Sequence, residues 1–281
     1  MATHNQIRLV GYLKEPPKIM NINTPGAEKV ICKVRTTRRD IDGYEGPYFE
    51  DVLVFYDSQE LMPKMLTLKQ YDVVDIKGVV NVMTVNKRTQ CPNCGTVNYK
   101  MYGASVFVYP ISLIKLNSLA TFVEDKDELP DEALRKRYLE VSNQAIIIGT
   151  VVREPAMIGN ERVICCKYPL GVDRKYYIST QSQVTADYPW IYSYHQQAES
   201  DMRHLQPGTL VMIDGFMHSR SIMCKMTCDN CQSEYEYPDY TTCFVPYSVE
   251  YLNGYKTDED IAREEELKRR EAIYAQGNLL S

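Results

Sequence analysis

The chain has 281 residues, 44% of them apolar and 25% charged, a composition that fits a soluble globular protein of about two domains. No apolar run approaches the roughly 18 residues of a membrane helix. The start, MATHNQIRLVG, lacks the charged-then-apolar layout of a secretory signal, so the chain reads as cytoplasmic with no membrane partner. Nine cysteines are too few for a disulfide scaffold of this length, and a reducing compartment keeps them as thiols or metal thiolates.

In chain order, alternating and β-branched residues predict strands at Ile7–Leu13, Lys29–Arg35 and Tyr48–Tyr56. A helical pattern follows at Ser58–Leu68. A long strand from Tyr71, a CPNCG turn and a closing strand near Ser105–Leu116 complete this region. LPDEALRKRYLEV at Leu129–Val141 predicts a linker helix with Asp131 as its N-terminal cap. The same series then returns: strands at Gln144–Val152, Arg162–Tyr168 and Tyr188–Tyr194, a helix at Gln196–Leu205, a strand from Thr209 and a closing strand near Thr242–Leu252. The tail EDIAREEELKRREAIYAQ reads as a charged helix, either solvated or a partner-docking segment.

The series is an internal duplication. NQIRLVGYLKEP is echoed by NQAIIIGTVVREP, VICK by VICCK, and LKQYDVVDIKG by LQPGTLVMIDG. Gly78 and Gly215, and the CxxC pairs beginning at Cys91 and Cys228, are each 137 residues apart. The expected organisation is a first domain over 1–117, an acidic linker over 118–142, a second domain over 143–254 and a tail over 255–281. Net charge is −5, but Ser118–Ser142 and Thr257–Ser281 each hold seven acidic and four basic residues, leaving the rest at +1. Whole-chain charge therefore does not exclude an anionic partner.

Five strands with a helix between the third and fourth is the order of the OB-fold, so the expected fold class is all-β, two tandem Greek-key barrels. The opening Asn-aliphatic-Gly-acidic-Pro motifs, the aromatics spaced six apart on the third strand (Phe49 and Phe55, Tyr188 and Tyr194) and the apolar strand ending in Gly resemble the single-stranded DNA-binding proteins of bacteria and phages. The resemblance covers Asn5–Leu116 and Asn143–Leu252. It implies non-catalytic, sequence-independent binding of single-stranded DNA in replication or recombination, by a monomer or homodimer. The chain ends AQGNLLS where that family has an acidic tip, and CxxC hairpins are not part of the common bacterial pattern, which points to a divergent relative such as one from a phage or mobile element. An RNA- or tRNA-binding OB protein and a protein-interaction module are the alternatives.

Binding single strands takes cations along the phosphates and aromatic faces for the bases. Alternation puts Tyr188, Trp190, Tyr192 and Tyr194 on one strand face, as a stacking platform or as barrel filling. Tyr48, Phe49 and Phe55 are their counterparts, and Arg35, Arg38 and Arg39 border the groove. Lys87, Arg88, Lys175, His218 and Arg220 extend the path at the ends of hairpins, or are ordinary surface charges.

Zinc takes four thiolate or imidazole ligands in a tetrahedron. The leading set is Cys224, Cys228, Cys231 and Cys243, all in one hairpin. The alternative is a shared site of Cys91, Cys94, Cys228 and Cys231. Four cysteines leave no open position, and no HExxH pattern is present, so the zinc is expected to be structural. Cys32, Cys165 and Cys166 lie on apolar strands and are expected in the core.

Overall fold

A computed structural model describes residues 4–20, 28–41, 44–58, 60–117, 129–160, 163–174 and 185–277. The first half comprises β1 (Asn5–Leu13), β2 (Lys18–Met20), β3 (Lys29–Thr37), β4 (Phe49–Tyr56), α1 (Met62–Leu66), β5 (Val73–Gln90) and β6 (Val97–Asn117). β1 pairs with β5 and, at its end, with β3; β3 pairs with β4; β4 meets β6 in parallel at Val54 and Val108; and β6 returns to β5. These five strands close a barrel.

The second half repeats the circuit with β7 (Asn143–Val151), β8 (Ala156–Asn160), β9 (Val163–Asp173), β10 (Ala186–Asp187), β11 (Trp190–Tyr194), a helix at His195–His204, β12 (Leu210–Thr227) and β13 (Glu234–Asn253). β7 pairs with β12 and β9, β9 with β11, β11 with β13 in parallel, and β13 with β12. Between the halves lies α2 (Pro130–Tyr138); the helix after β11 is α3, and α4 spans Asp258–Gly277. Residues 118–128 of the expected linker lie outside the described residues. Among the described residues no helix is long and apolar enough to cross a membrane.

The repeat motifs have structural reasons. Gly78 and Gly215 sit at matched register shifts of the long hairpins, where a Cβ would lie 2.4 Å from the Tyr109 carbonyl or 2.3 Å from that of Val245. Only glycine permits that approach. Asn5 and Asn143 open the first strand of each barrel. Asn5 exchanges hydrogen bonds with the backbone of Val80, and Asn143 with that of Met217, pinning strand to hairpin from a buried side chain.

The barrels are joined edge to edge. β1 and β7 pair antiparallel from Asn5–Ile147 to Leu9–Asn143, and one apolar cluster runs through both barrels, from Val54 and Ile76 to Tyr168 and Ile213. Two polar clusters flank this seam. The Glu50 carboxylate, from the first barrel, accepts from His218 Nδ1 at 2.5 Å and the Ser219 N–H at 3.0 Å in the second. In the mirror arrangement Asp187 accepts from the Val82 N–H at 2.7 Å and from Arg174. Glu50 and Asp187 are 137 residues apart, as are Val82 and Ser219. The duplication thus extends to the contacts that hold the copies together.

Asp131 does not cap α2. It reaches back to the first barrel, accepting from Tyr12 Oη at 2.7 Å and from Arg35 Nε and Nη2 at 3.1 and 2.9 Å. Burial alone would raise its pKa, but the Arg35 and Tyr12 hydrogen bonds outweigh that and hold the carboxyl below its ordinary value.

Candidate nucleic-acid interface and cysteine cluster

On the second barrel, β11 alternates as expected: Ile191 and Ser193 point inward, while Trp190, Tyr192 and Tyr194 share the outer face. Only part of that face is open. Trp190 is 37% exposed with Lys167 Nζ 5.5 Å from its ring, and Tyr188 just before it is more exposed still. Tyr192 is buried with Cys165 and Cys243 on the outside of the barrel, and Tyr194 packs 4.6 Å from Tyr44 of the first barrel. The expected four-ring platform is therefore two open rings followed by two covered ones. Tyr192 is covered from within its own barrel, and Tyr194 by Tyr44 from a loop in the other half of the chain.

On the first barrel the outer face of β3 and β4 forms a groove of ≈460 Å³ lined by Lys33, Arg35, Phe49 and Leu53. Tyr240, 72% exposed on the second barrel's long hairpin, leans over it with its ring 6.0 Å from Lys33 Nζ. Lys14 and Lys18 border an adjoining hollow. Phe49 lies against Arg35, whereas Phe55 is buried against Phe107 at 4.8 Å and belongs to the packing.

The arginines differ in role. Arg35 is held between Asp51 and Asp131, which raises its pKa further. Arg38 has 1% of its surface exposed and spends its guanidinium on the carbonyls of Pro47, Arg39 and Gly46, among the rings of Tyr44, Tyr48 and Phe216. It cannot reach a phosphate without unfolding its loop. Arg39 stays half exposed, 4.1 Å from the Tyr247 ring and 3.7 Å from Asp214. Tyr48 is exposed but flanked by Arg38 and Arg135. His218 is buried against Glu50 and is a seam residue rather than a surface cation. Arg88 is exposed on its hairpin. Lys175 and the side chains of Lys87 and Arg220 lie outside the described residues. Sequence reasoning passed over Lys33 and Lys167, although both end the repeated VICK and VICCK motifs, and over Tyr240 and Arg135.

The cysteines assemble across the two barrels. Cys91, Cys94, Cys228 and Cys231 place their Sγ atoms within 4.8 Å of one another, with Cys91–Cys231 at 3.7 Å and Cys94–Cys228 at 3.5 Å. A tetrahedron with zinc–sulfur bonds of about 2.3 Å has edges of about 3.8 Å. These four thiols can therefore hold a metal ion. The single-hairpin set is not brought together: on the β12–β13 ladder Cys224 faces Tyr237 and Cys243 faces His218, six positions away. At about 3.3 Å per residue that is roughly 20 Å. Cys32, Cys165 and Cys166 are buried, and burial pushes the thiols of Cys32 and Cys166 up to about 12.

The two turns have the same build. Gly95 N–H donates to the Cys91 carbonyl and Gln232 N–H to that of Cys228, with φ of 72° and 57°. Hydrogen bonds from the Thr96 hydroxyl and N–H bring Cys94 down to about 6. At Cys91 burial opposes ionisation, but the N–H groups of Cys94 and Asn93 prevail. Ser233 favours the Cys231 thiolate, yet neighbouring Cys94 and Cys228 keep its pKa raised. Of the four thiols, Cys91 and Cys94 are thus the ones shifted toward the thiolate form that binds metal.

Residues 142–236, which form most of the second barrel, match the family model described as single-strand binding protein family. The match to that family lies in this barrel. An 85-residue stretch is 31% identical to "Single-stranded DNA-binding protein 2" of Clostridium acetobutylicum, covering 30% of this chain and 62% of that protein's length. The fold likeness runs further than the family match. The crystal structure of wild-type single-stranded DNA-binding protein from Thermus aquaticus superposes with a TM-score of 0.57 over 92% of this chain and 97% of its own, at 14% identity. A deletion mutant of the same Thermus aquaticus protein gives the same score over 92% and 98%. Both barrels thus fall within the fold of a single-strand binding protein, although the family match lies in the second.

Proposed function

We propose that the chain binds single-stranded DNA without strong sequence preference and without catalysis, through two tandem OB barrels. The observation that carries this reading is the open surface of Tyr188, Trp190 and Lys167 on the barrel that matches the family. An exposed ring beside a cation supplies stacking, worth roughly 1–3 kcal/mol per base, together with a phosphate contact. The groove of Lys33, Phe49 and Tyr240 continues the path on the first barrel. We further propose zinc as the ion of the cysteine cluster, in a structural role, and replication or recombination in a phage or mobile element as the setting, with α4 as a docking segment for partner proteins. The test is anisotropy with labelled oligo-dT, oligo-U and duplex DNA at low and raised salt. Tightest binding to oligo-dT, weakening with salt, supports the reading. Preference for oligo-U would transfer it to RNA, and no binding to any of the three would overturn it.

A further inference from the structure

The long hairpins β5–β6 and β12–β13 are arms that leave different barrels and meet at their tips. Each tip offers one CxxC pair, and two thiolates do not satisfy a tetrahedral thiophilic ion. The only group of four that comes together among the described residues takes two from each arm. Resting on the zinc reading above, we propose that this ion is a fastener between the barrels, each arm's tip being ordered only while the other supplies its pair.

A second contact points the same way. Asn98 of the first arm is 1% exposed and is spent on the second: its Oδ1 accepts the Asp229 N–H at 3.0 Å, and its Nδ2 donates to Tyr235 Oη at 3.0 Å and lies 3.7 Å from Cys228 Sγ. Cys91 and Cys228 are buried together with Tyr235 and Tyr237 in one small cluster at the tips, separate from the barrel core. A cluster of that size cannot by itself offset the ordering of two long strands. A metal joining sulfurs more than 130 residues apart in sequence supplies the missing constraint. It also fixes the far end of the arm that carries Tyr240, whose near end is held where Glu50 meets Ser219.

The experiment combines metal content by mass spectrometry with hydrogen exchange of the peptides around 91–98 and 228–235, in the wild type and in Cys91→Ser, Cys231→Ser and Cys243→Ser. The fastener predicts one zinc per chain, lost with either Cys91→Ser or Cys231→Ser. In each of these, exchange accelerates at least ~10-fold in both peptides, including the one on the unmutated arm. Cys243→Ser keeps zinc and protection. Removing zinc from the wild type with a chelator must reproduce the paired acceleration, so a misfolded variant does not decide the outcome. Zinc retained in Cys91→Ser with 228–235 still protected overturns the fastener and leaves a zinc protein with other ligands. A wild type that takes up no zinc overturns the zinc reading and the fastener together.

Discussion

Arg174→Ala is the sharpest test of how the two barrels are joined. The guanidinium is 8% exposed, and Asp187 opposite it is 1% exposed. It donates to Asp187 Oδ2 and Oδ1 at 2.7 Å each, to Asn81 Oδ1 at 2.7 Å and to the Val82 carbonyl at 3.1 Å. Truncation leaves the Asp187 charge in the seam with the Val82 N–H as its remaining hydrogen bond among the described residues. Breaking a buried pair from one side costs about 3–5 kcal/mol. With a urea m-value of roughly 2–3 kcal/mol/M, the unfolding midpoint falls by about 1–2 M. Removing both partners leaves no stranded charge, so Arg174→Ala/Asp187→Ala recovers much of the loss. The assay is urea unfolding followed by circular dichroism. A single-variant loss below about 1 kcal/mol, or a double variant worse than the single, refutes the seam as drawn.

Three further outcomes are expected. Lys33→Ala and Lys167→Ala each weaken oligo-dT binding and reduce its salt dependence by about one counterion, while leaving the urea midpoint in place. Arg38→Ala acts the other way round: its loop carbonyls lose a charged donor and stability drops by roughly 2–3 kcal/mol, read as a lower urea midpoint. Asp201 is buried and its pKa is raised chiefly by that burial, against hydrogen bonds from Tyr251, Gln197 and Tyr168. The folded state therefore holds this proton more tightly than the unfolded state, and its contribution to stability declines as pH rises above the ordinary value of 3.8. Between about pH 4 and pH 7 the urea midpoint of Asp201→Asn therefore rises relative to that of the wild type, whatever the trend the other carboxylates impose on both.

Much of the fold was legible because a duplicated chain reports its own alignment. The Gly78–Gly215 and CxxC offsets agree with the matched Asn5 and Asn143 pins and with the Glu50 and Asp187 seam contacts. What escaped was whatever depends on the other barrel. Alternation correctly put Trp190, Tyr192 and Tyr194 on one face, but cannot reveal that Tyr44 covers the end of that face. Arg38 and Arg39 read alike as neighbouring cations. Only the curl of the Gly46–Pro47 segment, which turns its carbonyls toward Arg38, separates them. The cysteine assignment favoured proximity in the chain, whereas the β12–β13 register carries Cys243 far from the tip and the pairing of arms brings Cys91 and Cys94 to it.

Trp190, the chain's single tryptophan, lies on the open face and reports directly on what binds there. Titration with oligo-dT at low salt is predicted to quench its fluorescence, the quench weakening as salt is raised, with duplex DNA much less effective. Unchanged emission at saturating oligo-dT would contradict the account.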